Sequence, residues 1–266
     1  MGRSMSNETP PARTPFVAGN WKMHTSGVEC VALCREVREN IDDIPGVDKA
    51  VCPPFPFLRE AMGAFAGSTV RVGAQNVHWE DQGAYTGEVS PLMLQGLVEF
   101  VIVGHSERRE HFCETDVTVN LRLKAALRHN LTPIFCVGET QKEREAGRME
   151  KVLSRQIRQG LKGVPWSSRC VIAYEPVWAI GTGLAATSEQ ANDAIGFIRK
   201  LVAEAFDAGI AGATRIQYGG SVRPENAAEL FAQPEIDGAL VGGASLDAGA
   251  FAAIVRAAAD AGQRQP

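Results

Sequence analysis

Short apolar, β-branched runs recur along the chain at residues 16–19, 50–52, 70–74, 100–104, 133–137, 170–173, 215–218 and 238–241. Each is bounded by polar or turn-forming residues and reads as a buried strand. Between most of them lie stretches whose apolar residues return every three or four positions, as in Val28/Leu33/Val37/Ile41, Val117/Leu121/Leu123/Leu127, Val152/Ile157/Leu161 and Ile195/Ile198/Leu201/Val202. That spacing lines one face of a helix. Apolar strands alternating with amphipathic helices predict an α/β fold with a parallel sheet covered by helices. Eight such units without an evident linker predict a single (β/α)8 barrel of eight parallel strands ringed by helices, in preference to an open doubly wound sheet.

The length of 266 residues admits that barrel, since single barrels of about 250 residues are routine. Residues 1–14 are polar and Pro-rich, carry Arg3, Glu8 and Arg13 and have no apolar periodicity. They are expected to form a disordered leader, which leaves 15–266 as the barrel domain. Hydrophobic content of 45%, charged content of 22% and a net charge of −4 describe an ordinary globular chain. There is no basic excess to hold nucleic acid or an anionic membrane, so an anionic ligand must meet local positive groups. The six cysteines, Cys30, Cys34, Cys52, Cys113, Cys136 and Cys170, form no Cys-x-x-Cys pair, and there is no secretory segment or long apolar span. Reduced thiols and a cytoplasmic location are expected. The stretch 75–90 is long, polar and glycine-containing, which inside a compact domain points to a projecting loop that docks elsewhere.

Barrels of this kind carry their chemistry at the C-terminal ends of the strands. The first run leads into Asn20-Trp21-Lys22, where a spacing of two points Asn20 and Lys22 to one face; the fourth ends at Gly104-His105 and the sixth at Tyr174-Glu175. An amide, an ammonium, an imidazole and a carboxylate thus converge. Glu175 opens the run Pro176-Val177-Trp178-Ala179-Ile180-Gly181-Thr182-Gly183. Pro176 holds Glu175 extended, and the glycines can offer bare N–H groups to an anion, so the run reads as a catalytic base joined to a lid. The seventh and eighth runs end in Tyr218-Gly219-Gly220-Ser221 and Val241-Gly242-Gly243-Ala244, glycine pairs in the two loops that usually form the phosphate pocket of such barrels.

Each piece alone also has a plain structural reading: a glycine pair as a turn, Asn20 and Lys22 as surface polars, His105 as a satisfied histidine. Their shared position on one rim favours function. Gly181 to Ala186 with Glu204 imitates a dinucleotide fingerprint, but that fingerprint needs its glycines in a tight strand-to-helix turn of the first unit, and five residues intervene here. Glu107-Arg108-Arg109-Glu110-His111 lacks a zinc spacing and His24, His78 and His129 stand singly; no metal or cofactor is expected. Cys30 and Cys34 read as core thiols, Cys136 as a neighbour of the site, and Lys142-Glu143-Arg144-Glu145 as a solvated helix face.

Gly19-Asn20-Trp21-Lys22-Met23, Gly104-His105-Ser106-Glu107-Arg108-Arg109, Cys136-Val137-Gly138-Glu139-Thr140, the stretch from Ala173 to Gly183, and the two glycine-pair loops together resemble the triosephosphate isomerase family. Order and spacing match from about residue 15 to 262. The resemblance implies interconversion of dihydroxyacetone phosphate and D-glyceraldehyde 3-phosphate through an enediolate, as in glycolysis and gluconeogenesis, without cofactor or metal. It makes Glu175 the base, His105 the electrophile, a role for which this family is itself a known illustration, and Lys22 and Asn20 electrostatic support. Ser106, Glu107 and Cys136 become supporting residues. The phosphate falls to Gly181, Ser221, Gly242 and Gly243 beside Lys22. Residues 176–186 become a lid that excludes water, latched by Tyr218 and Ser221, lid closure again being a known property of the family.

The chain departs from the family's common pattern at the second hinge, Leu184-Ala185-Ala186, at His24 and at Cys113, where glycine is frequent. The loop 75–88 resembles the family's interdigitating dimer loop, so a homodimer is expected, with Thr86 reaching toward Asn20 and Lys22 of a second copy. Trp79 and Tyr85, costly to leave exposed, favour that interface. Another phosphate-sugar barrel enzyme, an epimerase or lyase, would share the glycine-rich rim but lack the paired His105 and Glu175 motifs. A catalytically idle relative would show a broken Asn20/Lys22/His105/Glu175 set.

Overall fold

Each strand-forming run pairs in parallel with the next, and the last returns to the first. The computed structural model describes residues 13–180 and 186–263. Its strands are β1 Phe16–Asn20, β2 Asp48–Cys52, β3 Val70–Ala74, β4 Phe100–Val103, β5 Thr132–Val137, β6 Val171–Tyr174, β7 Arg215–Tyr218 and β8 Gly238–Val241. They form a closed barrel in sequence order, with Phe16 opposite Gly238 across the closing seam. The (β/α)8 architecture expected from the patterning is therefore present.

Apart from Asp48, Arg71 and Arg215 near the strand starts, the strand residues are buried on both faces. Phe16, Ala18, Ala50, Cys52, Phe100, Ile102, Ile134, Cys136, Val171, Ala173 and Leu240 fill the lumen, where the rings of Phe16 and Phe100 stack at 4.6 Å. Their alternates, such as Val17, Val51, Val101, Phe135, Ile172 and Ile216, face the helices in a second cluster. Burial on two sides is why the strands read as continuous apolar runs instead of alternating ones.

The helices are α1 Gly27–Ile41, α2 Leu58–Ala64, α3 Pro91–Leu94, α4 Ser106–His111, α5 Asp116–Arg128, α6 Gln141–Glu145, α7 Met149–Gly160, α8 Ser188–Ala205, α9 Ala208–Ala213, α10 Pro224–Phe231 and α11 Ala248–Gly262. Threonines 115, 140 and 187 cap α5, α6 and α8 by accepting a backbone N–H three residues on. α7 and α8 bury the expected stripes, Val152 and Ile157 in one and Ile195, Ile198, Leu201 and Val202 in the other.

Two stripes differ from expectation. Val28 lies in the first turn of α1 and is 84% exposed, while Cys30 and Cys34 join Leu33, Val37 and Ile41 on the buried face. In α5, Val117 and Leu121 point outward and Val119, Leu123 and Ala126 point inward. Both sets have helical spacing, and only packing against the barrel chooses between them. Among the described residues no helix is long and apolar enough to cross a membrane.

At the N-terminal face of the barrel Asp237, 3% exposed, accepts hydrogen bonds from Ile216 N–H (2.8 Å), Arg199 (2.7 Å) and Arg13 (2.5 Å). Arg199 also bonds Glu235 (2.6 Å) and the carbonyls of Ala211 and Thr214 (2.8 and 2.7 Å). One carboxylate thus ties β7, the start of β8 and the entry to β1 to a helix. Asp237→Ala leaves two largely buried guanidinium groups short of a partner and is expected to cost about 3 kcal/mol. Urea unfolding of the two chains checks this, and a loss below about 1 kcal/mol, the scale of an exposed pair, would refute it.

Candidate active site

Glu175 leaves β6 at the rim with its backbone pressed between two glycines. Its N–H donates to Val137 O (2.8 Å), and Gly219 N–H donates to Tyr174 O (2.7 Å). A Cβ on Gly138 would stand 1.7 Å from the Glu175 carbonyl oxygen, and one on Gly219 2.9 Å from its Cγ. The missing side chains let the carboxylate sink to 1% exposure. Oε2 accepts the Ser106 N–H (2.9 Å) at the first residue of α4. Oε1 lies 2.8 Å from His105 Nε2 without an aligned hydrogen bond. Below them Cys136 projects into the lumen, its thiol pKa pushed well up by burial and then by the Glu175 charge.

His105 follows β4 through Gly104, whose φ of +74° turns the chain at the rim. The imidazole Nδ1 accepts the Glu107 N–H (3.3 Å), so in this arrangement Nδ1 carries no proton and the ring N–H is on Nε2, on the side of Glu175. Burial, the largest influence, disfavours the imidazolium; the carboxylates of Glu175 and Glu107 favour it and draw the pKa above its usual 6.5. Arg109 braces this corner from behind, donating to Gly104 O (2.8 Å), Cys136 O (3.3 Å) and Asp116 (2.7 Å).

Asn20 is the last residue of β1 and is buried. Lys22 lies beyond the strand with φ +51°. Its meeting with Asn20 therefore comes from a left-handed turn, not from the pleat alternation expected from the spacing. The Lys22 N–H donates to Asn20 Oδ1 (3.0 Å), and its carbonyl accepts from Gln75 Nε2 (2.7 Å). The ammonium forms an ion pair with Glu107 Oε1. Burial raises the Glu107 pKa, but the Lys22 hydrogen bond and the His105 and Lys22 charges outweigh it and hold the carboxyl below its ordinary range. Lys22 also overhangs the eighth loop, where a Cβ on Gly242 would lie 3.5 Å from its Cε, and the space at Gly243 is open.

The seventh loop completes the rim. A Cβ on Gly220 would strike the Tyr218 hydroxyl at 2.3 Å. Tyr218 is fully buried, and burial pushes its pKa up to about 12, eased by the Ala186 N–H. Ser221 is held by Asn226 Nδ2 on its carbonyl (3.0 Å) and Arg223 Nε on its hydroxyl (3.4 Å). Gly181, Leu184 and Ala185, expected in the phosphate site and the second hinge, lie outside the described residues. Cys113 adopts φ +55°, a conformation that favours glycine, which accounts for the glycine expected there.

Three residues near the site were not assigned a role from sequence. Glu139, fully buried after β5, accepts from the Tyr174 hydroxyl (3.1 Å) and from Trp178 Nε1 (2.9 Å), anchoring the run that follows Glu175. Gln75 directly follows β3. Arg144, read as part of a solvated face, instead reaches Glu139 (3.4 Å) and lies 5.4 Å from the centre of the Trp178 ring. The strand-end rule that picked out Asn20, His105 and Glu175 also covers Gln75 and Glu139; the signal for Arg144 exists only in space.

Residues 75–90 contain no helix or strand. Asp81 accepts from Arg128 (2.7 Å) and lies 2.8 Å from His129, anchoring the loop's root. Trp79, expected at an interface, packs within its own chain under Arg122 (4.8 Å) and against His78 (4.2 Å). Tyr85 is 44% exposed, and Thr86 is exposed at the tip.

A closed parallel barrel that sets a buried carboxylate against an imidazole at its rim, with an ammonium over a glycine-pair loop, defines the class: a (β/α)8 barrel whose ionisable side chains gather at the C-terminal ends of its strands. The chain belongs to the triosephosphate isomerase family, whose model, described as "Triosephosphate isomerase", matches residues 15–258. It is 54% identical over 247 residues to the triosephosphate isomerase of Carboxydothermus hydrogenoformans, covering 92% of this chain and 98% of the relative. It is 55% identical over 246 residues to that of Moorella thermoacetica (91% and 98%) and 52% identical over 246 residues to that of Clostridium perfringens (91% and 99%).

Glu175→Gln removes the strongest opposing charge from His105, so the imidazole is expected to titrate at lower pH in the variant. Ring-proton NMR of the ligand-free chains measures this, and an unmoved midpoint would show that the two groups are not coupled.

Proposed function

We propose that this chain interconverts dihydroxyacetone phosphate and D-glyceraldehyde 3-phosphate, with Glu175 as the base. The observation that carries the reading is the 2.8 Å approach of Glu175 Oε1 to His105 Nε2 at the rim, beside Lys22. A substrate whose carbonyl oxygen faced His105 would present its α-carbon proton to Glu175. Removing that proton places negative charge on oxygen, opposite the Nε2–H and the Lys22 ammonium; one well-aimed donor at such an oxyanion is worth about 3 kcal/mol. The proton on Glu175 then returns to the neighbouring carbon, while a hydroxyl proton passes between the two oxygens. Atoms and charge balance without an external reductant or oxidant.

The phosphate falls to the backbone N–H groups of Ser221, Gly242 and Gly243, with Gly181 as a further expected contact and Lys22 as the nearby cation. This explains how a chain of net charge −4 takes a dianion. Glu107 holds the ammonium in register through their ion pair. Glu139 and Trp178 anchor the near end of the lid expected over 176–186, and the buried Tyr218 hydroxyl is the latch near Ala186.

The second partner is another copy of this chain, seated through the 75–88 loop. Met23 is 94% exposed beside Lys22, and Tyr85 stands partly bare at the loop's tip, which supports a tip-to-turn contact burying both and carrying Thr86 toward the second copy's Lys22 turn.

In an assay coupling dihydroxyacetone phosphate formation to its reduction, the purified chain is expected to isomerise glyceraldehyde 3-phosphate. Glu175→Gln should lower kcat by about 10²–10⁴-fold with KM little changed. A folded but inactive wild-type chain overturns the reading. For the dimer, sedimentation is expected to give a dimer for wild type and a monomer for Thr86→Arg; two identical monomer profiles reject it.

A further inference from the structure

Lys22 holds a left-handed backbone (φ +51°) that a long-chain L-residue keeps only where its surroundings over-determine it. Two side chains do so here. Asn20 Oδ1 takes the Lys22 N–H (3.0 Å), and Gln75 Nε2 gives one hydrogen to the Lys22 carbonyl (2.7 Å) and the other to Cys52 O (2.9 Å). Cys52 O, at the end of β2, also accepts the Trp21 N–H (3.1 Å). One carboxamide nitrogen therefore bridges the strained residue to the barrel wall on which the same turn already rests.

The geometry suits this chemistry and little else. Two carbonyls facing one planar nitrogen call for two N–H donors on that nitrogen. A carboxylate would repel both, and an apolar side chain would leave both short of a donor. The direction of the Lys22 Cα–Cβ bond follows from φ, and that bond aims the ammonium at Glu107 and over Gly242. If the turn relaxed to negative φ, the side chain would swing off the rim.

We propose that Gln75 is a positioning residue for the reaction: acting through Lys22, it fixes the ammonium where the phosphate and the developing oxyanion lie. This rests on the proposed function. Gln75 also opens the loop expected to meet a second copy, so its effect on Lys22 must be separated from an effect on assembly.

The test is a double-mutant cycle between Gln75→Met and Lys22→Met, read by isomerase kinetics, by calorimetric binding of inorganic phosphate and by sedimentation. Gln75→Met alone is expected to lower kcat/KM by about 10²-fold, the scale of a catalytic group misplaced by an ångström. It should weaken phosphate binding by about tenfold, the loss of one charge-assisted contact, and leave the sedimentation profile unchanged. In the Lys22→Met background the same change should cost less than about twofold, within ordinary additivity error. Equal losses in both backgrounds, or no loss in the wild-type background, overturn the proposal. Gln75→Leu replaces the methionine variant if that chain does not fold, and failure of both to fold makes the role structural and the proposal wrong. A wild-type chain that binds phosphate without isomerising triose phosphate overturns the proposed function alone, and the phosphate arm of the cycle then decides this inference. A wild-type chain that binds no phosphate overturns both.

Discussion

Closure of the sheet between β8 and β1 is the constraint on which everything at the rim depends. At the seam Gly238 takes φ +126°, and a Cβ there would stand 2.0 Å from the Phe16 carbonyl oxygen. Only a residue without a side chain lets the two backbones meet at hydrogen-bonding distance. Once the ring is shut, all eight strand ends share one rim. Lys22, from the first strand's loop, then overhangs Gly242 from the last, and the sixth strand's Glu175 meets the fourth strand's His105 across the opening. The lumen beneath is filled by side chains such as Phe16, Phe100 and Ile134, so the rim has a dry floor in which electrostatic interactions are strong.

At the rim the charged groups satisfy one another. Lys22 pairs with Glu107, Glu107 gives its N–H to His105 Nδ1, and His105 faces Glu175, whose other oxygen accepts the Ser106 N–H. Two local departures lie at the same place: Lys22 has positive φ, and Glu175 Oε1 is buried without an aligned donor.

Behind these groups stands a layer of residues that contact the segments carrying them. Arg109 ties the ends of β4 and β5, Glu139 holds Tyr174 and Trp178 on either side of Glu175, and Gln75 holds the Lys22 turn. Each joins two or more rim segments by hydrogen bonds to backbone or to fixed side chains. Such cross-links limit how far one rim segment can move relative to another.

The strands and their order were legible because two-sided burial writes itself as continuous apolar runs, and the imidazole, carboxylate and ammonium were legible because strand ends in a closed barrel must converge. Composition and strand-to-helix alternation determined the fold class, and motif spacing located Asn20, Lys22, His105, Glu175 and the two glycine pairs. Helix faces were less legible: Val117/Leu121 and Val119/Leu123 are equally periodic in α5, and only contact with the barrel buries the second pair. Tertiary structure alone decided that Lys22 reaches the rim through a left-handed turn, that Arg144 leaves a charged run to cover Trp178, and that Gln75 and Glu139 brace the site. These depend on distances between segments far apart in the chain, and periodicity along one segment carries no record of what another segment brings against it.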